Sequence, residues 1–180
     1  SRLTQTIIVN NSIWKERNVQ IWNGGLDGLP IEKASKTGYY LKKYVDENVS
    51  LDPDNIIRVN HLWVFFRYGE VLLNYAEAMN EAFGPDDSHN YSMTAIEAMD
   101  IIRNRAGLPE YEGEKTKDAV RQEIRQERRV ELAFENHRFW DIRRWKIGEE
   151  TAQIEGMSIT QNDDNTFNYQ EKVVEIRVWD

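Results

Sequence analysis

The feature that most constrains this chain is a predicted helix, within the segment Arg121–Trp145, whose apolar face carries carboxylates. Apolar residues recur at helical spacing on that face: Val120, Ile124 and Phe134. Glu127 and Glu131 fall on the same face, and Arg138 continues it. A lone carboxylate on a buried face costs several kcal/mol unless a cation and further hydrogen bonds meet it. The segment therefore predicts a buried charged network that includes arginines from neighbouring helices.

Two earlier helices are predicted, and the second of them supplies an arginine to that network. The first has an apolar face and ends at Gly84-Pro85; its face is formed by Tyr68, Leu72, Tyr75, Ala76 and Met79. The second begins at a capping box between Thr94 and Glu97. Its apolar face comprises Ala95, Ile96, Met99, Ile102 and Ala106. Arg103 lies on this second face, so it is the expected counter-charge for Glu127 or Glu131.

Two further helices complete the helical pattern. The third is predicted to start near Thr116 and to end at His137, and the fourth to run from about Arg138 to Glu150. Bulky residues spread around the fourth helix predict that it is largely enclosed: Phe139, Trp140, Ile142 and Trp145. Small residues at the expected contacts favour antiparallel, tetratricopeptide-like helix pairs, although the repeat consensus Trp is absent.

Four sequence stretches together resemble one known family. They are TGYYLKKYVD (37–46), FRYGEVLLNYAEAMNEA (66–82), AIEAMDIIRNRAGLP (95–109) and ERRVELAFENHRFWDIRRW (127–145). Their order and spacing are similar to those of the SusD/RagB family, the surface glycan-binding lipoproteins of Bacteroidetes-type bacteria. The match is good over about residues 2–145, weak in the tail, and covers only the C-terminal half of the usual family length.

The resemblance implies a fold and a function. The fold is mainly α, with tetratricopeptide-like antiparallel helix pairs, a peripheral β-hairpin and long loops. The function is non-catalytic binding of an oligosaccharide or polysaccharide at the bacterial outer-membrane surface, for delivery to a TonB-dependent SusC-like transporter. Family members are lipid-anchored through an N-terminal cysteine, which this chain lacks. We therefore expect residues 1–180 to be one C-terminal module excised from a longer chain.

That module divides by pattern into three regions. Residues 1–60 form a strand and loop region, residues 61–150 the helical core, and residues 151–180 a strand-like tail. Alternation in residues 3–10 predicts a half-buried strand with Leu3, Ile7 and Val9 on its inner side. Turn residues 10–12 and renewed alternation in residues 19–22 predict a hairpin there.

Charge and composition exclude several classes of protein. With 40% hydrophobic and 30% charged residues, the chain is ordinary for a soluble globular protein. A net charge of −8 argues against nucleic-acid partners and anionic membrane surfaces. Cysteine is absent, and neither phosphate-binding nor dinucleotide-binding glycine motifs occur. His61, His89 and His137 lack the spacing of a helical metal pair, so no metal and no cofactor is expected.

A glycoside hydrolase is one alternative. Glu127, Glu131 and Glu135 would lie at successive helical turns, about 5–6 Å apart at Cβ, close to the carboxyl separation of a retaining glycosidase. Catalytic carboxylates, however, flank the scissile bond, whereas these are stacked along one helix. Nearby arginines would also keep all of them ionised, so the structural role is favoured.

Aromatic residues near the N-terminus are the candidate glycan site. Trp14 and Trp22 lie in or beside predicted loops, with Trp22 on the face opposite Val19 and Ile21. A flat indole matches the apolar C–H face of a sugar, and polar neighbours suit its hydroxyls. The predicted ligand-binding residues are Trp14, Gln20, Trp22, Asn23 and Asp27. If both tryptophans instead pack internally, the remaining alternative is a helical-repeat scaffold that binds only protein.

Overall fold

The computed structural model describes residues 1–179 and divides the chain into two compact units. The helical unit contains residues 1–2 and 63–141, and the strand unit contains residues 3–62 together with the described part of 142–180. The described residues contain five α-helices and eight β-strands. The predicted single module over 1–180 stays a prediction.

The helical unit is built from α2 (Tyr68–Phe83), α3 (Ala95–Arg105) and α4 (Lys117–Glu131), followed by the start of α5 (His137–Trp145). The first three helices pack on one apolar core, and its fully enclosed members are Leu73, Ala76, Ala95, Ala98, Met99 and Val120. Alanines at the contacts let helix backbones approach closely, as the sequence predicts.

The ends of these helices are set by capping side chains and by a glycine. The predicted capping box opens α3: the Thr94 N–H donates to the Glu97 carboxylate at 2.7 Å, and the Glu97 N–H donates to the Thr94 hydroxyl at 3.2 Å. Thr116 caps α4 by accepting from the Ala119 N–H at 3.3 Å. Gly84 ends α2 with a φ of +96°, which a glycine tolerates without steric cost.

The segment between α4 and α5 differs from the prediction. Helix α4, the third of the predicted helices, stops at Glu131, and a turn follows with positive φ at Phe134 and Asn136. His137 therefore begins α5 rather than ending α4. Phe134 is 49% exposed, so it does not lie on the buried face with Val120 and Ile124.

The predicted enclosure of α5 is wrong for two of its aromatic residues. Phe139 is 52% exposed and Trp140 is 66% exposed, and their rings meet edge to face at 5.1 Å. Bulky side chains occur on all sides of this helix, but Asp141 and Ile142 are the buried ones. Aromatic content alone does not identify the packed face.

The strand unit is a set of two-stranded pairs and loops. Its strands are β1 (Ile7–Ile8), β2 (Ile13–Trp14), β3 (Arg17–Asn18), β4 (Tyr40–Leu41), β5 (Ser50–Asp52), β6 (Asn55–Ile57), β7 (Gln153–Gln161) and β8 (Phe167–Ile176). All pairs are antiparallel: β1 with β4, β2 with β3, β5 with β6, and β7 with β8. A small apolar core unites this unit and consists of Ile8, Val19, Ile21 and Ile159.

The predicted strand over residues 3–10 is mostly wrong. Helix α1 (Arg2–Thr6) occupies its first part, and only β1 is extended. Leu3 and Ile7 are spaced four residues apart, which fits a helix as well as a strand, so a short alternation does not separate the two. The predicted turn at residues 10–12 is present, with the Ser12 N–H donating to the Val9 carbonyl at 3.0 Å. The β2–β3 hairpin lies beyond it, and its own turn is at Lys15 and Glu16, both with positive φ. Val19 and Ile21, which are predicted to share one face, are both buried, but Trp22, predicted to lie on the opposite face, also packs against their cluster.

Candidate functional site

The structure has two candidate functional regions. The first is the ion-pair network of the helical unit. The carboxylate of Glu131, with a side chain only 3% exposed, accepts from Arg67 Nη1 at 2.6 Å and Arg2 Nη1 at 3.3 Å. Arg105 Nη2 also donates to it. Burial would raise the pKa of Glu131, but the hydrogen bond and charge of Arg67, with the charge of Arg105, hold that pKa below its ordinary value.

Glu127 is the second acidic member of this network. Arg2 donates to its two carboxylate oxygens at 2.9 and 3.1 Å, and Arg103 Nη1 lies 3.4 Å from Oε1. Arg103 has a shorter contact with Glu123, at 2.6 Å. The structure thus brings Arg103 and Glu127 together, as the sequence predicts, while Arg2 supplies the closer guanidinium.

Glu135 is held from the other side by Arg67. Arg67 Nε lies 2.8 Å from Oε2, Nη2 lies 2.8 Å from Oε1, and Nη2 also donates to the Glu131 carbonyl at 2.7 Å. One guanidinium therefore neutralises a carboxylate and satisfies a carbonyl at the end of α4. With guanidinium groups arranged on Glu127, Glu131 and Glu135, these carboxylates do not form the acid and nucleophile pair of a retaining glycosidase.

Arg138 is not brought to this network. Among residues 1–179 it forms no ion pair with Glu127 or Glu131, because α4 ends at Glu131 and a turn separates it from the helix that carries Arg138. Burial and the neighbouring charge of Arg129 lower the pKa of Arg138. The buried pair in its vicinity is Arg128 with Asp141, joined at 2.7 and 2.9 Å.

The second region is a cleft in the strand unit with a volume of about 780 Å³, within the usual range for small-molecule sites. Three segments line it: Trp14 from the β2–β3 hairpin, residues of the loop 42–49, and residues 59–62 after β6. Tyr44 and His61 meet edge to face at a centroid distance of 5.4 Å. The cleft, defined by these segments, therefore presents aromatic side chains from three separate parts of the chain.

The cleft is fixed by contacts from the hairpin turn. The Lys15 backbone N–H donates to Glu47 Oε2 at 3.1 Å, and Lys15 Nζ donates to the Val49 carbonyl at 2.5 Å. These bonds tie the residue after Trp14 to the facing loop. Trp14 itself is half-buried and packs against the apolar core of the strand unit. Trp14 thus contacts the core of the strand unit and also lines the cleft.

The other predicted ligand-binding residues lie outside the lining of this cleft. The Trp22 ring packs on Phe167 at 5.0 Å. Asp27 accepts from Arg17 at 2.6 and 2.7 Å and from the Gln20 backbone N–H at 2.9 Å. The hydrogen bond from Arg17 lowers the pKa of Asp27. Trp22 and Asp27 thus each have a partner within the strand unit.

Gln20 and Asn23 also have protein partners. Gln20 Oε1 accepts from the Leu26 N–H at 3.3 Å, and Asn23 Nδ2 donates to Ser158 at 3.4 Å. Ligand contact by Gln20, Trp22, Asn23 and Asp27 stays a prediction.

The sequence reasoning did not identify Lys42, Tyr44 or His61 as parts of the site. The signal available for Lys42 and Tyr44 was the TGYYLKKYVD stretch, which concentrates tyrosines and lysines in an extended segment. His61 has no local pattern that marks it. It reaches the cleft only through the path of the chain after β6.

Two features of the described residues bear on the type of site. Among the described residues, no group of three or more His, Cys, Asp or Glu side chains is arranged to hold a metal ion. None of the helices within residues 1–179 is both long and apolar enough to span a membrane.

Comparisons with known proteins agree on one family. The sequence matches the model of the SusD family over residues 1–177. It is 35% identical over 115 residues to SusD-like protein P2 of Formosa agariphila, covering 59% of this chain and 21% of that protein. SusD-like protein P38 of the same organism is 32% identical over 122 residues, covering 66% of this chain and 23% of its own length.

Solved structures give the same family. A SusD-like protein from Bacteroides fragilis matches 99% of this chain with a TM-score of 0.80 and 30% identity, and the match covers 34% of that protein's chain. A SusD-like carbohydrate binding protein from the same species matches 97% of this chain with a TM-score of 0.64 and 26% identity, over 37% of its own chain. The chain thus spans about a third of these solved chains and about a fifth of the curated relatives.

Proposed function

The chain belongs to the SusD family, and from that premise we propose that it takes part in non-catalytic binding of an oligosaccharide at the cleft of the strand unit. The observation that carries this proposal is the position of Trp14 in the cleft wall, beside Tyr44 and His61. A relative with 26% identity is described as a carbohydrate binding protein, which supports the same ligand class.

The chemistry of the cleft suits a sugar ring. Aromatic faces provide rigid apolar area for the C–H face of a pyranose at a small entropic cost. The ring edge carries hydroxyl groups, and Asn60, Asp46 and Lys42 on the cleft wall offer donors and acceptors for them. Trp14 is held by the bonds of Lys15 to the facing loop, so the aromatic surface is preorganised.

The helical unit has a supporting role in this proposal. Its carboxylates are occupied by Arg2, Arg67, Arg103 and Arg105, so it stabilises the fold and performs no hydrolysis. Its helices form tetratricopeptide-like antiparallel pairs, a proposal supported by the likeness to SusD-like structures.

The cellular setting follows from the family. We assign the full-length protein to the outer-membrane surface, held by a lipid anchor, where it delivers glycan to a TonB-dependent SusC-like transporter. Family membership supports this assignment.

Titration calorimetry with a glycan panel tests the binding proposal. Wild type is expected to bind at least one oligosaccharide, and Trp14→Ala is expected to weaken that binding by about tenfold, the effect of losing one aromatic contact. Trp140→Ala is the matched control, because Trp140 is exposed and lies in the helical unit. Equal affinity of Trp14→Ala and wild type would refute the placement of the site.

A protein-binding scaffold is the second candidate, favoured by exposed aromatic residues of the helical unit. These are Phe65, Phe66, Tyr68, Phe139 and Trp140, with exposures between 52% and 86%. Exposed apolar surface of this kind marks interaction sites. If no glycan of the panel produces heat with wild type, the scaffold becomes the better explanation.

A further inference from the structure

We infer, on the basis of the proposed function, that the sugar held in the cleft of the strand unit carries a methyl group, either on a 6-deoxy carbon or in an O-acetyl ester. The chemical class of the ligand is thereby narrowed to methyl-bearing glycans. Four aliphatic side chains of the cleft wall, which the contacts proposed above leave without a role, favour this class: Val45, Val49, Val59 and Leu62.

These aliphatic side chains come from two of the three segments that line the cleft. Val45 and Val49 belong to the loop 42–49. Val59 and Leu62 belong to the segment after β6. Val45 is 46% exposed, Val59 37% and Leu62 83%, so much of their apolar surface is in contact with water. A ligand that covers this surface gains free energy roughly in proportion to the apolar area that leaves water.

A sugar with a hydroxyl group at every available carbon does not supply that cover. Its apolar area lies on the C–H face of the ring, which contacts the Trp14 indole in the proposed function. Its hydroxyl groups lie at the ring edge. A hydroxyl group placed against a valine loses water without gaining a hydrogen bond, which costs free energy. A methyl group in the same place has no hydrogen bond to lose and buries apolar area of its own, so the aliphatic residues favour it.

The charged groups of the cleft do not select an ionised ligand. Among the described residues that line it, Lys42 is a single lysine beside two carboxylates, those of Asp46 and Glu47. Glu47 Oε2 accepts from the Lys15 backbone N–H at 3.1 Å and so holds the hairpin. Lys42, Asp46 and Asn60 meet the ring hydroxyls in the proposed function. A neutral sugar with one apolar substituent therefore fits the polar and the aliphatic parts of the lining together.

Pairs of glycans that differ at a methyl group test the inference. The members of one pair carry L-fucose or L-galactose at the same position, so that a methyl group at C5 replaces a hydroxymethyl group. The other pair is an acetylated xylo-oligosaccharide and its deacetylated form. Titration calorimetry measures the affinity of the wild-type protein for all four. The methyl-bearing member of at least one pair is expected to bind about tenfold more tightly, the lower end of the discrimination that one small apolar group provides in an apolar pocket. Whichever pair responds shows whether a deoxy carbon or an ester supplies the methyl group.

The matching variant is the double substitution Val45→Thr/Val59→Thr, which places a hydroxyl group where each valine has a methyl group and nearly keeps the shape of the side chain. Both valines are exposed enough for the fold to tolerate the change. The double variant is expected to bind both members of the responding pair equally, with the wild-type affinity for the hydroxylated member. Val173→Thr is the control and is expected to keep the wild-type preference, because Val173 is 50% exposed on β8 in the same unit and lies outside the cleft lining.

Two results would overturn the inference and leave the proposed function in place. One is binding that Trp14→Ala weakens but in which neither pair shows a preference for its methyl-bearing member. The other is a methyl preference that survives the double substitution. Absence of binding to every glycan, with or without a methyl group, would instead remove both the proposed function and this inference.

Discussion

Replacing Glu131 by Gln should destabilise the helical unit, because its carboxylate is buried and shared by three guanidinium groups. Gln keeps one acceptor oxygen but loses the charge, and its amide N–H groups would face the donors of Arg67. Removing one partner of a buried ion pair costs about 3–5 kcal/mol.

The structure places the expected cost at the lower end of that range. Arg105 is 60% exposed, so water solvates it when Glu131 is neutral. Arg67 keeps its hydrogen bonds to Glu135, and Arg2 keeps its hydrogen bonds to Glu127. We therefore expect a loss of about 3 kcal/mol in the free energy of unfolding, which corresponds to a fall in Tm of roughly 6–12 °C for a protein of this size.

Urea denaturation followed by tryptophan fluorescence and far-ultraviolet circular dichroism measures this change. Glu123→Gln is the matched control, because Glu123 pairs with Arg103 at 2.6 Å but is 30% exposed. Its loss is expected to cost under about 1 kcal/mol, as for surface ion pairs. If Glu131→Gln were as stable as wild type, or no less stable than Glu123→Gln, the account of a stabilising buried network would be refuted.

Two other predictions concern the stability of the protein at acidic pH and the backbone strain at two glycines. Because the pKa of Glu131 in the folded protein lies below its ordinary value of 4.5, its stabilising contribution is present above about pH 4.5 and lost as the pH falls through the lowered value. Urea midpoints measured from pH 7 to pH 3 should therefore fall less steeply for Glu131→Gln than for wild type, and parallel curves would contradict this. Gly38→Ala should destabilise more than Gly24→Ala: both glycines have positive φ, at a cost of about 1–2 kcal/mol for alanine, but only at Gly38 would the new Cβ collide with the Met157 carbonyl oxygen. Equal thermal shifts for the two variants would show that the collision is relieved.

Much of the helical unit could be predicted because its signals are local. The capping box at Thr94 and the helix start at Thr116 each depend on residues within one turn, and both are confirmed. The acidic face of α4 indicated that cations must meet Glu127 and Glu131. Which arginines do so depends on chain path, and for that reason Arg2 and Arg67 were not identified.

The strand unit was harder to predict, because its strands are short and its order comes from loops. Residues Leu3 and Ile7 fit two periodicities, and the hairpin turn at Lys15 and Glu16 lacks the glycine or asparagine that usually marks one. Trp14 was proposed from its residue type, whereas His61 joins the cleft from a segment without regular structure. No local pattern in the sequence brings those two residues together.

The bond between Arg2 and Glu127, 125 positions apart, has a consequence for how the protein is made. The ribosome releases Arg2 and Arg67 well before the acidic residues of α4 appear. During that interval both guanidinium groups remain in water without the anions they will bind. A polypeptide whose translation stops short of α4 therefore cannot acquire a closed helical unit, and we expect such products to be degraded rather than to accumulate as stable intermediates.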